Sequence, residues 1–127
     1  MIPAFDLSGR TALVTGAGSP TGIGFATARL LGMLGAEVVL VATTDRVELR
    51  VRQLRETAIT ASAVVADLTD EDQLVGLPRD VDILVNNAGM ISVGEQFEAG
   101  PFAELSLATW HAGLHRNLDT AFLTSRH

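Results

Sequence analysis

Glycine is concentrated in one stretch near the amino terminus, GAGSPTGIG at residues 16–24. A phosphate group carries negative charge that backbone N–H groups at the amino end of a helix satisfy, and glycine lets the main chain approach such an anion closely. Gly18, Gly22 and Gly24 form the pattern G-x-x-x-G-x-G between an apolar run and a helical pattern. We therefore predict a phosphate-binding loop. The alternative is a turn that needs glycine only in order to be tight.

Four short apolar runs predict the strands that must position this loop. They are Thr11–Thr15, Glu37–Ala42, Ala61–Ala66 and Asp82–Val85. Helical patterns separate them, and such alternation is typical of a parallel sheet with helices on its faces. Right-handed crossovers then favour an α/β fold: the amino-terminal βαβαβαβα portion of a Rossmann-type doubly wound sheet, in a single domain over residues 1–127.

Periodicity and end signals locate the predicted helices. Ile23, Ala26, Leu30 and Leu34 recur at helical spacing, and Gly35 follows as a stop. A second helix reaches about Thr57, with Asp45 and Glu48 as a capping box and three residues facing inward, namely Val47, Leu54 and Ala58. A short helix over Thr69–Leu77 and a last helix over Leu107–Arg126 complete the prediction.

Composition limits the class of partner. The chain has 127 residues, a net charge of −6 and scattered basic residues, all of them Arg, which argues against nucleic acid because its binding needs clustered positive charge. Cys is absent, which fits a reducing cytoplasm. No apolar run is long enough to span a bilayer, so we expect no membrane partner. His111 and His115 stand four residues apart, but no third ligand at suitable spacing accompanies them, so we expect no metal.

Four motifs together resemble those of the short-chain dehydrogenase/reductase family. They are "TG…GIG" after the first strand, "ADL" at residues 66–68, "NNAG" at residues 86–89 and "W…N" at Trp110 and Asn117, in that family's order and near its spacing. The stretch GAEVVLVATTD, residues 35–45, is similar to 3-oxoacyl-carrier-protein reductases. The resemblance implies an NAD(P)-dependent oxidoreductase that reduces a carbonyl or 3-oxoacyl group by hydride transfer.

The glycine loop departs from the family pattern. Five residues separate Gly16 from Gly22, where the family usually has three, so a two-residue insertion is the simple explanation. Pro20 has no N–H to donate to a phosphate and restricts Ser19 to extended geometry. The insertion therefore changes which loop amides face the diphosphate, while Gly22–Gly24 at the helix start should be unaffected.

The end of the second strand bears on the choice between NADP and NAD. The resemblance places an Asp there in relatives that prefer NAD, but this chain has Ala42, followed by Thr43 and Thr44. We expect NADP, with Thr43 and Arg46 toward the 2′-phosphate. A solvated face for Arg46 is the alternative, and Asp45 near the adenosine ribose would favour NAD.

Two later motifs supply the remaining cofactor residues that the resemblance implies. Asp67 and Leu68 match the pair beside the adenine ring, although a turn in which Asp67 caps Thr69 is an equally good interpretation. The segment Asn87–Gly89 matches the one along the cofactor ribose, and a structural role is expected for Asn86. The full set of expected cofactor-binding residues is Gly16, Gly18, Ser19, Gly22, Ile23, Gly24, Thr43, Arg46, Asp67, Leu68, Asn87, Ala88 and Gly89.

The resemblance carries over only one member of the family's catalytic set, Asn117, which supports a water there. The other members are a Ser and a Tyr-x-x-x-Lys pair. The chain has neither Tyr nor Lys, and Ser92 follows NNAGMI too closely to be that serine. We therefore expect a cofactor-binding half that lacks the proton donor and is inactive alone. A non-catalytic nucleotide-binding module and an inert structural fragment are the alternatives.

The chain is about half as long as the family's chains, so the fifth strand onward is expected to be absent. The fourth strand would then be an open edge, and four residues of the last helix would have nothing to pack against, namely Leu118, Ala121, Phe122 and Leu123. We expect a homo-oligomer or association with a carboxyl-terminal half, and a small carbonyl or alcohol compound as substrate.

Overall fold

The computed structural model describes residues 5–89 and 100–127. Its strands are β1 (Thr11–Thr15), β2 (Glu37–Ala42), β3 (Ala61–Val65) and β4 (Ile83–Val85). All pairings are parallel and the spatial order is β3-β2-β1-β4. The spatial order changes direction after β3, because β4 does not continue beyond β3 but pairs with the side of β1 that β2 leaves open. This is the predicted α/β architecture, and it is confirmed.

Helices α1 (Ile23–Met33) and α2 (Arg46–Glu56) follow the first two strands. A 3₁₀ helix over Glu71–Gly76 follows β3, where a helix over Thr69–Leu77 was expected. Another short 3₁₀ turn, Phe102–Glu104, precedes α3 (Leu107–Leu114) and α4 (Thr120–Arg126). The segment His115–Asp119 joins α3 to α4 as one π-helical turn, so the last predicted helix exists but is interrupted.

Alternate residues of the central strands pack on opposite faces of the sheet, as side chains with a period of two must. One face packs Val14, Val38 and Leu40 against Val51 and Leu54 of α2. The other face packs Leu13, Val39 and Val41 with Leu68, Leu74, Leu77 and Leu123. Burial on both faces explains why these strands are continuous apolar runs.

Helix α1 packs against the sheet through small residues. Ile23 is 78% exposed and Leu30 is 57% exposed, whereas Gly24 and Ala28 are buried. Small residues on the buried side let the helix axis approach the sheet closely, and a Cβ on Gly32 would overlap the side chain of Ile59. The predicted helix is confirmed, and its small residues rather than its large apolar ones meet the sheet.

The predicted capping box of α2 does not form. Asp45 has helical backbone angles and makes no capping hydrogen bond through its side chain; its carbonyl accepts the N–H of Glu48 at 2.9 Å. Val47 and Leu54 are buried as predicted. Ala58 is exposed and has φ of +63°, because it forms the left-handed turn that ends the helix, so its inward placement was wrong.

The last helix packs against the sheet, although the sequence predicted that its apolar residues would lack packing partners. Leu123 is only 8% exposed and belongs to the core on one sheet face, so the expectation that it lacks a packing partner was wrong. Leu118 and Phe122, at 60% and 56% exposed, do face outward. Among residues 5–89 and 100–127, no helix has both the length and the apolar character needed to cross a bilayer.

Candidate functional site

The loops that leave the carboxyl ends of the four parallel strands meet at one edge of the sheet. The glycine loop follows β1, residues 43–45 follow β2, residues 66–70 follow β3 and residues 86–89 follow β4. In open α/β sheets a ligand binds at this edge, where the strand order changes direction. That change lies between β1 and β4 in this chain, so the glycine loop and residues 86–89 border the crevice.

The glycine loop is held against β2 and β4. Gly16 has φ of +67°, which favours glycine, and the Ala17 N–H donates to the Val41 carbonyl at 3.1 Å. A Cβ on Gly18 would lie 3.1 Å from the Ala42 Cβ. The loop therefore lies directly over the end of β2, next to Thr43.

The start of α1 combines open amides with a glycine required by packing. The Gly22 N–H donates to the Ser19 carbonyl at 3.3 Å, so it is used within the loop. The N–H groups of Ile23 and Gly24 have no carbonyl within the helix to bond, because the helix starts there. A Cβ on Gly24 would lie 2.6 Å from the Asn87 Nδ2 and 2.8 Å from the Gly16 carbonyl oxygen. Gly24 therefore lets α1 start close against the two loops.

Thr15 ties the end of β1 to the segment after β4. Its side chain is 1% exposed. The Oγ1 accepts the backbone N–H groups of Asn87 at 3.0 Å and Ala88 at 2.9 Å, and it donates to the Val85 carbonyl at 3.2 Å. Thr15 was not among the predicted site residues, although a buried hydroxyl at the end of a mainly apolar strand was a signal for it.

Asn87 performs the structural role that was expected of Asn86. Its Nδ2 donates to the carbonyls of Thr15 and Gly16, both at 3.1 Å, and so joins the glycine loop to residues 86–89. Asn86 is exposed instead, and its Nδ2 donates to the Ser125 hydroxyl at 3.0 Å. The structural role thus belongs mainly to the second asparagine of the motif, which had been assigned to the ribose.

The loop after β2 presents polar side chains to solvent. Thr43 and Arg46 are both exposed, and the Arg46 Nε donates to the Thr44 hydroxyl at 3.3 Å. Asp45 is the single carboxylate between Ala42 and Arg46. Thr43 and Arg46 therefore lie beyond the end of β2 and are open to solvent, and their role toward a 2′-phosphate stays a prediction.

The Asp67 carboxylate adopts the turn geometry that was the alternative to a role in binding. Its Oδ1 accepts the Thr69 hydroxyl at 2.6 Å and the Thr69 N–H at 2.9 Å. These hydrogen bonds stabilise the ionised form and hold the pKa of Asp67 below its usual value. Leu68 is 5% exposed and its side chain packs in the core; its place beside an adenine ring stays a prediction.

Asn117 lies in the π-helical turn and faces the segment after β4. Its Nδ2 donates to the Gly113 carbonyl at 2.9 Å, and its Oδ1 is so close to Gly89 that a Cβ there would overlap it. His115 pairs with Asp119 at 2.8 Å, and the described part of the chain contains no group of three residues suited to a metal. Ser92 lies outside the described residues.

Comparison with known proteins shows what this arrangement is similar to. A model of the short chain dehydrogenase family matches residues 10–127. Over 125 residues the chain is 36% identical to cis-4-hydroxycyclohexanecarboxylate dehydrogenase from Sinomonas cyclohexanicum, covering 93% of this chain and 47% of that protein. Over 130 residues it is 32% identical to 5-keto-D-gluconate 5-reductase from Escherichia coli K12, covering 96% of this chain and 48% of that protein.

A solved structure shares the arrangement as well. The crystal structure of a gluconate 5-dehydrogenase from Burkholderia cenocepacia J2315, in complex with NADP and tartrate, matches with a TM-score of 0.80 at 30% identity. The match covers 96% of this chain and 48% of that one. The chain therefore spans about half the length of the relatives that it matches.

Proposed function

Because the chain belongs to the short chain dehydrogenase family, we propose that it binds NADP and forms the cofactor half of an oxidoreductase. The observation that carries this proposal is the cradle at the start of α1. Glycine at positions 16 and 24 lets the loop and the helix start pack closely against the segment after β4, where a Cβ would collide, and Asn87 bonds to the carbonyls of Thr15 and Gly16. These features fit a diphosphate, which requires close backbone approach at a helix amino terminus.

Each loop at the carboxyl ends of the strands has a proposed role toward the cofactor. The amides of Ile23 and Gly24 satisfy diphosphate oxygens, and Thr43 and Arg46 face the 2′-phosphate. The backbone of Ala88 and Gly89 borders the ribose on the nicotinamide side. Asp67 retains its second carboxylate oxygen as an acceptor toward the adenine amino group. When bound, NADP supplies the carbon that accepts or donates hydride.

The substrate is proposed at the level of a chemical class. A carbonyl or alcohol carbon is the expected partner for hydride transfer, and a 3-oxoacyl group remains the sequence-based candidate. The two relatives named above bear the names of a hydroxycyclohexanecarboxylate and a ketogluconate, which are both carboxylic acids. A small hydroxy or keto acid is thus a second candidate class.

These 127 residues lack the Tyr and Lys that the family uses for proton transfer. The chain has neither Tyr nor Lys, and Asn117 is proposed to position a water rather than to exchange a proton itself. We expect cofactor binding without turnover from these residues alone. The exposed side chains of Leu118 and Phe122 support association with a second copy or with a catalytic half.

Thr43→Asp is expected to weaken NADPH binding by about tenfold or more and to leave NADH binding unchanged or tighter. The reason is that a carboxylate at the end of β2 repels the 2′-phosphate and accepts a ribose hydroxyl. Fluorescence titration of the purified chain with each dinucleotide measures both affinities.

Thr60→Asp is the matched control, because Thr60 is exposed and precedes β3 at the opposite edge of the sheet. It should change neither affinity. NADH binding at or above the NADPH affinity in the unmodified chain would contradict the preference for NADP. Absence of binding to either dinucleotide would favour the inert structural fragment.

A further inference from the structure

The π-helical turn at His115–Asp119 joins a helix that the sheet anchors to one that it does not. In α4, Thr120, Leu123 and Thr124 are buried. None of the residues Leu107–Leu114 of α3, all of which the structure describes, is buried. Turns of this kind are rare and occur frequently at functional sites. Contacts within the turn, rather than packing on the sheet, must therefore hold α3 relative to α4.

Two side-chain contacts cross this turn, each between residues four apart. The Asn117 Nδ2 donates to the Gly113 carbonyl at 2.9 Å. The His115 Nδ1 and the Asp119 Oδ2 are 2.8 Å apart, and both side chains are about half exposed. Because both contacts span the same turn, a change in its shape alters them together. Only the second contact depends on side-chain charge.

The same turn holds Asn117 against the segment that follows β4. The Asn117 Oδ1 lies so close to Gly89 that a Cβ there would overlap it. Because Asn117 lies between His115 and Asp119 in the turn, their pairing restrains the backbone on both sides of it. A change in the shape of the turn would therefore move the Asn117 amide relative to Gly89.

Charged groups lie near the His115 ring on two elements. Asp119 and Arg116 belong to the same turn, and Asp67 belongs to the loop after β3. Hydrogen bonds from Thr69 lower the pKa of Asp67 most, and the nearby positive charges of His115 and Arg116 lower it further. Asp67 is thus ionised between pH 5 and 8, where histidine ordinarily changes charge. The contact of His115 with Asp119 is an ion pair at the lower end of this range and a neutral hydrogen bond at its upper end.

We propose that His115 is a positioning residue, whose ion pair with Asp119 holds the π-helical turn in the shape that keeps Asn117 against Gly89. Loss of the charge loosens the turn as the pH rises from 5 to 8. An exposed pair of this kind shifts an equilibrium by about two- to fivefold. The purpose of the contact, a fixed border for the ribose on the nicotinamide side, rests on the proposed function.

The test measures hydrogen-exchange protection factors for the backbone amides of residues 115–119 in the whole chain between pH 5 and 8. Protection factors correct for the intrinsic effect of pH on exchange, and we expect them to fall about two- to fivefold as the pH rises. His115→Gln removes the charge and should show the lower protection at every pH. His115→Arg carries a permanent charge and should restore the higher protection at pH 8. Nuclear Overhauser contacts between the Asn117 side chain and the Gly89 α-protons should weaken in the same order.

Two matched controls separate this pair from other charges. His111→Gln removes an exposed histidine one turn earlier on α3. Glu71→Gln removes an ion pair of similar exposure, which Glu71 makes with Arg126 at 2.9 Å. Neither change should alter the protection of residues 115–119 or its dependence on pH.

Protection of the turn that does not vary with pH, or that falls equally in the core strands, would overturn the role of His115. Loss of the pH dependence in His111→Gln would overturn it as well. These measurements need no cofactor, so they decide the role of His115 even if the chain binds no NADPH. Absence of NADPH binding would refute the proposed function instead.

Discussion

Gly24→Ala is expected to lower the free energy of unfolding by about 1–3 kcal/mol, the range typical of an added methyl group in a tightly packed site. The new Cβ would lie 2.6 Å from the Asn87 Nδ2 and 2.8 Å from the Gly16 carbonyl oxygen, and both belong to loops that hydrogen bonds fix in place. Helix α1 must move away from the crevice. NADPH affinity should therefore fall about tenfold or more, measured by titration alongside thermal unfolding.

Gly113→Ala is the matched control for this effect. Gly113 also lies in a helix, but a Cβ there would meet no atom within 4 Å. Alanine has the higher helix propensity, so this change should stabilise the chain by about 0.5–1 kcal/mol and leave NADPH binding unchanged. If both variants behaved alike, close packing at the start of α1 would not be what position 24 requires.

Thr15→Val is expected to destabilise the chain by about 1–3 kcal/mol, although it preserves the shape of the side chain. The Ala88 N–H loses its acceptor and the Val85 carbonyl loses a donor. The Asn87 N–H keeps a hydrogen-bond acceptor, because it also donates to the Val85 carbonyl at 3.1 Å. Chemical denaturation gives the free energy, and hydrogen exchange should show faster exchange of the Ala88 amide.

Two variants separate the lost hydrogen bonds from other effects of the substitution. Thr15→Ser keeps the hydroxyl and should retain the protection of the Ala88 amide. Thr27→Val removes a hydroxyl that bonds only within α1, to the Ile23 carbonyl at 2.8 Å, and should change stability by less than about 0.5 kcal/mol. Unchanged exchange at Ala88 in Thr15→Val would show that this hydroxyl does not tie β1 to the segment after β4.

The parallel sheet could be predicted from the sequence because its strands are apolar on both faces. The residues of β1 and β2 are almost all buried, so continuous apolar runs marked both strands, and their bounds agree with the structure. The junction between β1 and α1 could be predicted equally well, because clustered glycines separate an apolar run from a helical pattern, while a phosphate at this loop stays a prediction. These features depend on local composition, which a sequence displays directly.

Contacts between distant segments could not be predicted in the same way. Thr15 and Asn87 are 72 positions apart, and only the pairing of β1 with β4 brings them together. The side of α1 that meets the sheet carries small residues rather than large apolar ones, so apolar spacing does not mark it. Arg50 occupies a buried position among apolar residues of α2, where helical periodicity alone indicates only packing.

The most direct test follows backbone amide signals in ¹H–¹⁵N NMR spectra of the chain during titration with NADPH. We expect the largest shifts at Gly18, Ser19, Ile23 and Gly24, with saturation at one common affinity, and no shift at Gly9, which precedes β1 at the amino end of the strands. Large shifts confined to residues outside the carboxyl edge, or an unchanged spectrum at millimolar NADPH, would contradict a cofactor diphosphate held at the start of α1.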